Sequence, residues 1–213
     1  MSDHAPEPRS RNADRSQQAI LDAARDEFAL LGLAGARVDR IAERADVNKR
    51  LIYYYFGSKD DLFLAVLESV YADIRTAEQK LHLLELSPPE AVRRLTEFTW
   101  DYYIDHPEFI TLLNSANLHQ ARHLKKSGRV QEMNSPVIQT LGDILERGRK
   151  DGVFRGGVDA MQLYISIASL AYFYLSNNFT LSAIFGRDLL TGKAQAERRS
   201  HICDVILGYV LKD

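Results

Sequence analysis

The chain has 213 residues, 46% of them apolar, and its 27 Lys/Arg against 29 Asp/Glu leave a net charge of −2. That length allows one large domain or two small ones, and the apolar share is ample for a buried core. One Cys, Cys203, excludes an intramolecular disulfide framework, suits a reducing cytosol and is expected as a buried structural thiol. The N-terminus lacks the apolar run of a signal peptide, and the most apolar segment is interrupted by Gln162, Ser166, Ser169 and Asn177, so no membrane span is expected. These features predict a soluble, cytoplasmic protein.

Residues 1–14 are polar with two Pro and are expected to form a disordered tail. From about residue 15 to 31, Ile20, Ala24, Phe28 and Leu31 make one apolar helical face, which Gly32 ends. Val38, Ile41 and Ala45 give a second, short helix its apolar stripe. A break follows at Asp46-Val47-Asn48, where Asp tolerates a left-handed turn and Asn48 can cap the next helix. In that third helix, 49–56, Ile52 and Phe56 turn inward. Arg50, Tyr53 and Tyr54 share the opposite arc, with Lys49 on its flank. Gly57 can end the helix, and Ser58 starts another with Asp61 three residues on.

Two short helices, a tight turn, and cations with aromatics outside the core face of the second describe a helix-turn-helix. Residues 37–59 carry six Lys/Arg and three Asp/Glu, so positive charge is concentrated here in an otherwise acidic chain. Phosphate attraction requires that, and a helix fits the DNA major groove.

Beyond the head, residues 58–84 read as one long helix with Leu62, Val66, Val70 and Ile74 at i+4 spacing. Helices over 88–105, 108–118 and 128–150 follow, the last with a kink expected at Pro136. Residues 158–185 are apolar nearly all round, which marks a buried helix, and a final helix spans 194–211. No strand-length alternation occurs. The fold class is therefore all-α: a tail (1–14), a three-helix head (15–60) and a body of about six helices (61–213).

Catalytic and metal patterns fail on inspection. His119 and His123 are spaced i, i+4, but no third ligand is near in sequence. The run from Gly186 to Lys193 has one residue too many between its glycines for a phosphate loop, and Ala194 stands where Ser or Thr should hold magnesium. No nucleophile elbow or dinucleotide fingerprint is present. No enzyme activity, cofactor or metal is expected.

The run from Ile41 to Leu62, IAERADVNKRLIYYYFGSKDDL, closely resembles the DNA-binding signature of the TetR (tetracycline repressor-like) family: an Ile-Ala pair, a turn, a capped recognition helix with Tyr, then Phe and Ser-Lys. Asp46 replaces the usual turn Gly, Arg50 a frequent Gly and Leu51 a frequent Thr or Ala; the last two should change which operator is read. The resemblance implies that Asn48, Lys49, Arg50, Tyr53 and Tyr54 face DNA. It implies that Tyr55 and Lys59 hold backbone phosphates, and Arg37 is a further candidate. Arg9, Arg11 and Arg15 offer the tail as a minor-groove arm, against a plain solvated tail.

In the body, Trp100, Tyr103, Phe109, Leu113, Asn114, Asn117, Val137 and Leu141 lie on segments that enclose an effector pocket in the resembling family, and Tyr172 and Tyr174 can add phenolic donors. The competing reading of such an aromatic stripe is ordinary core. The segments 158–185 and 194–211 resemble the helix pair of the family's dimer interface. The resemblance thus implies a homodimeric repressor joined through its last two helices, bound to a double-stranded pseudo-palindromic operator and released by a small-molecule effector. The alternative is a DNA-bound dimeric scaffold without a small-molecule ligand, which a cavity-free body would favour.

Overall fold

The computed structural model describes residues 8–212, which fold into ten α-helices. These are α1 (Pro8–Gly35), α2 (Val38–Arg44), α3 (Lys49–Phe56), α4 (Lys59–Gln79), α5 (Pro88–Asp105), α6 (Pro107–Leu118), α7 (Gly128–Lys150), α8 (Ala160–Ser176), α9 (Asn178–Phe185) and α10 (Gly192–Val210). Short 3₁₀ turns occupy Leu83–Glu85 and Leu124–Lys126. The all-α expectation holds.

Local differences have local causes. Helix α1 begins at Pro8, inside the segment expected as a tail, and residues 1–7 of that expectation lie outside the described residues. Gly32 breaks α1 with φ 65° and ψ 177°, a conformation only glycine adopts freely, and helical backbone resumes for one further turn. Helix α7 runs through Pro136 as one element. The segment expected as a single helix over 158–185 divides at Asn177 into α8 and α9.

The chain divides into two compact units, one holding the residues up to Val70 together with Thr111–Gly128, the other holding Tyr71–Ile110 and the residues from Arg129 onward. In the first unit Ile20, Ala24, Phe28, Ile41, Ile52, Leu62 and Phe63 are buried, and the Phe28 and Phe63 rings meet edge to face at 5.1 Å. Leu31, expected in this core, is 39% exposed, because the break at Gly32 passes its role to buried Leu33. The segment from Thr111 closes this unit: Leu33 N–H donates to Ser115 Oγ at 3.2 Å, and Ser127 Oγ donates to the Glu68 carboxylate at 2.5 Å.

In the second unit α5 packs against α8 and α10. A Pro-led start with a Ser87–Glu90 capping box fixes the beginning of α5. Arg199 of α10 forks onto Asp101 of α5 at 2.8 and 2.9 Å and reaches Glu97 at 3.1 Å. Cys203 is buried, and burial pushes its thiol up, away from the reactive thiolate. The expectation that 158–185 is buried throughout is corrected. Helix α8 buries Leu163, Ile167, Ala171 and Leu175 but exposes Met161, Ile165 and Phe173, while α9 exposes Phe179, Ile184 and Phe185. Neighbours within this unit cover only one side of a segment that is apolar on both.

Candidate nucleic-acid interface and effector cavity

The α2–α3 unit is set by short-range chemistry. Asp46 takes φ 52° in the turn, and Asn48 caps α3 by accepting the Arg50 N–H at 2.8 Å. Gly57, at φ 76°, receives the chain as α3 ends, and Ser58 and Asp61 hydrogen-bond reciprocally at 2.6 and 3.1 Å to start α4. Ile52 is the buried anchor of α3, with Phe56 half-buried behind it. Lys49, Arg50, Tyr53 and Tyr54 all stand exposed, Tyr54 at 80%.

The cations on this face are not equivalent. Lys49 Nζ lies 2.7 Å from Asp39 of α2; their hydrogen bond and mutual attraction hold the Asp39 carboxyl below its usual range and the ammonium above its own. Arg50 has no ion pair among the described residues. Lys59 is half-buried and donates to the Ala36 carbonyl at 2.9 Å, leaving two ammonium protons for other partners. Tyr55 is also half-buried, its ring edge to face with Tyr54 at 5.3 Å. Arg37 is exposed.

Two supports of this head were not foreseen. Glu27 is 2% exposed, accepts the Arg37 N–H at 3.3 Å and lies 3.5 Å from Arg40 Nε, so a carboxylate of α1 caps the start of α2. His123 is buried against Phe63, and its Nε2 lies 2.7 Å from Asp60 Oδ1, where Arg122 also reaches at 3.2 Å. The His123 hydrogen bond, chiefly, holds the Asp60 carboxyl below its usual range. Both pairings join residues about ten or sixty apart in sequence, beyond the reach of helical periodicity. No group of three or more His, Cys, Asp or Glu is placed to hold a metal ion among the described residues.

In the second unit a cavity of about 320 Å³ is lined by Arg75, Glu78, Leu83, Met133, Val137 and Thr140, among others. Of the ten residues expected at an effector site, Val137 lines it. Trp100, Tyr103, Phe109 and Leu141 are buried instead: Tyr103 stacks on Phe109 at 5.5 Å, and Trp100 meets Tyr174 edge to face at 5.5 Å. Tyr174 donates to the Leu189 carbonyl at 2.9 Å, and Tyr172 is half-buried. Leu113, Asn114 and Asn117 belong to the first unit, with Leu113 half-buried and both Asn exposed. The sequence pointed to aromatics; the cavity is walled by aliphatic side chains together with the polar or charged Arg75, Glu78, Gln79, His82, Glu85 and Thr140. No helix is long and apolar enough to cross a membrane, among the described residues.

Comparison with known proteins agrees with this geometry. Residues 20–66 match the family described as bacterial regulatory proteins, tetR family, and residues 88–206 match the tetracyclin repressor-like C-terminal domain. The chain is similar to the HTH-type transcriptional repressor NicS of Pseudomonas putida, at 43% identity over 93% of this chain and 94% of that one. It is 30% identical to the HTH-type transcriptional repressor SCO4008 of Streptomyces coelicolor over 76% of this chain and 79% of that one. In fold it resembles a bacterial regulatory protein in the tetR family from Rhodococcus, with a TM-score of 0.71 at 15% identity, covering 93% of this chain and 98% of that one.

Proposed function

This chain belongs to the tetR family of bacterial regulatory proteins and is a helix-turn-helix transcriptional repressor, and we propose that it binds a pseudo-palindromic operator as a homodimer and leaves it when a small-molecule effector binds. The observation that carries this reading is the outward face of α3, where Arg50, Tyr53 and Tyr54 stand exposed over a buried Ile52. Arg50, free of any ion pair among the described residues, reads a guanine edge. Tyr53 and Tyr54 meet thymine methyls or phosphates. Lys49 reaches a base only by giving up Asp39. Arg37, Tyr55 and Lys59 contact backbone phosphates, and Asn48 acts by fixing the first turn of α3. Such a reader works in the cytoplasm, with the chromosome.

Helices α8 and α10 supply the dimer contact. Met161, Ile165 and Phe173 on one, with Val205 and Tyr209 on the other, form an exposed apolar face that a second copy covers across a twofold axis. Two recognition helices then meet successive major grooves, about 34–36 Å apart or more for a longer operator. The cavity of about 320 Å³ favours an effector-responsive protein over a ligand-free scaffold. An effector that prefers a conformation with the wrong helix separation weakens DNA binding without touching a DNA contact.

Selection of bound sequences from random duplex DNA, at two salt concentrations, tests the reading. A pseudo-palindromic motif whose enrichment collapses in Arg50→Ala is the expected result. Salt-sensitive but sequence-blind binding would leave only the scaffold.

A further inference from the structure

Arg122, Lys125 and Lys126 stand exposed on the segment that links α6 to α7. Between Glu108 and Glu132 the chain carries four Lys/Arg, two His and no Asp or Glu, although its net charge is −2. Thr111–Gly128 of this run belongs to the first compact unit, together with the helix-turn-helix. The link has a fixed shape. Gln120 and Ala121 take φ 55° and 52°, a left-handed conformation that a non-glycine residue keeps only where its surroundings hold it.

Two contacts lay the link along α4. His123, buried against Phe63, brings its Nε2 to 2.7 Å from Asp60 Oδ1 in the first turn of α4, and Ser127 Oγ donates to Glu68 two turns on. At about 1.5 Å per residue these two anchor points are about 12 Å apart along the helix. Asp60 directly follows Lys59, the residue assigned above to a backbone phosphate, and Arg122 Nη2 reaches the same Asp60 oxygen at 3.2 Å. The His123 hydrogen bond is the main reason that the Asp60 carboxyl stays below its usual range. Arg122 can therefore turn to another anion and leave Asp60 partnered. Lys125 and Lys126 have no ion pair among the described residues.

We propose that Arg122, Lys125 and Lys126 form a second DNA-contacting element, which holds backbone phosphates beside the one taken by Lys59 and reads no base. The proposal rests on the operator reading above. A duplex carries one negative charge per about 1.7 Å of its axis, so cations spread over a support about 12 Å long meet several phosphates at once. A small anion would engage only one of the three. Phosphate contacts fix register and add affinity without sequence information, so the element supplements the recognition helix and leaves the choice of operator to Arg50 and its neighbours.

Fluorescence anisotropy of the full chain on a duplex carrying its selected motif, across a salt series, tests this. The combined variant Arg122→Gln, Lys125→Gln and Lys126→Gln should flatten the slope of log K against log salt by at least about two, since each lost phosphate contact removes about one. Selection from random duplex should still return the same motif. Arg122→Lys, which keeps the charge, should keep most of the slope. Lys80→Gln, Lys150→Gln and Lys193→Gln together remove three exposed cations of the second unit and should leave it unchanged. An unchanged slope in the first combined variant, an equal flattening in the second, or an altered motif overturns the proposal. Should the first combined variant not fold, Lys125→Gln and Lys126→Gln decide singly, each expected to flatten the slope by at least about one. If the unaltered chain binds without sequence preference, the operator reading falls alone, because slopes on arbitrary duplex still test this element. A chain that binds no DNA refutes both.

Discussion

Lys49 of α3 and Asp39 of α2 form an ion pair at 2.7 Å, so one of the cations flanking the DNA-facing arc is already partnered within the head. Arg50, one residue on, has no ion pair among the described residues. The pair therefore predicts a ranking that net charge alone does not. Arg50→Ala should lower operator affinity by roughly tenfold to a hundredfold and relax sequence preference, and Lys49→Ala should do less. Asp39→Ala should do the opposite: it frees the ammonium and removes an anion. Affinity for arbitrary duplex should rise, and the slope of log K against log salt should steepen by about one phosphate contact. Fluorescence anisotropy across a salt series reads both, and an unchanged slope in Asp39→Ala would show that the pair does not restrain Lys49.

Glu78 gives a pH prediction with a definite sign. Burial raises its carboxyl to about 7, with the Arg75 charge offsetting only part of the effect. In the unfolded chain a Glu releases its proton near about 4.3. Between those values the folded chain binds more protons, so stability falls as pH rises through the window and levels off above pH 7, by roughly 4 kcal/mol in all. Glu78→Gln cannot titrate and should lack this decline. Arg75, left without its partner, adds a constant offset, so the comparison is of slopes. Urea midpoints of both proteins from pH 5 to 8 should diverge in favour of the variant as pH rises; parallel curves would refute the assignment.

These two sites differ in how far they could be read ahead of the fold. The helix-turn-helix is written in residues that act on near neighbours: Asn48 on the Arg50 amide, Gly57 at the end of α3, Ser58 on Asp61, Ile52 opposite Arg50 and Tyr53. Such signals survive in a linear sequence because the contact partners lie within one helical turn. The Glu27 cap on α2, the Asp60–His123 contact and the inclusion of Thr111–Gly128 in the first unit depend on distant segments meeting, and periodicity carries no trace of them. Most of the residues expected at an effector site lie away from the cavity for a related reason. Aromatic residues such as Trp100 and Tyr103 resemble pocket linings in sequence, but here they fill the core. Arg75 and Glu78 are charged residues that only the packing of α4 buries.

The exposed apolar face of α8 predicts assembly. Phe173 is 59% exposed and Ile165 50%, an arrangement that costs free energy unless another surface covers it. Ile165→Asp and Phe173→Asp should each shift the chain from dimer to monomer at micromolar concentration in sedimentation velocity, with helical content unchanged. Binding to a palindromic site should fall by more than about tenfold, since a monomer engages only one half-site, while weak non-specific binding persists. A variant that remains dimeric would place the interface elsewhere.

Gly148, near the end of α7, tests the second unit by a change of sign. In an exposed helix interior Gly→Ala stabilises by about 1 kcal/mol. Here a Cβ would stand 2.2 Å from Phe154 Cδ2 and 2.7 Å from Cγ and Cε2. The ring has little room to retreat. Phe154 is 2% exposed, the N–H groups of Val153 and Phe154 both donate to the Gly148 carbonyl at 3.0 Å, and Arg155 N–H holds the Val210 carbonyl at 3.0 Å. Gly148→Ala should therefore destabilise, by about 1–3 kcal/mol as overpacked cores do. The cause is specific to one ring, so Phe154→Leu should recover part of the loss in the double variant although it costs stability on its own. Thermal or urea denaturation of the four proteins gives the coupling. Additive losses would mean that the ring yields freely and that the close approach does not hold this corner together.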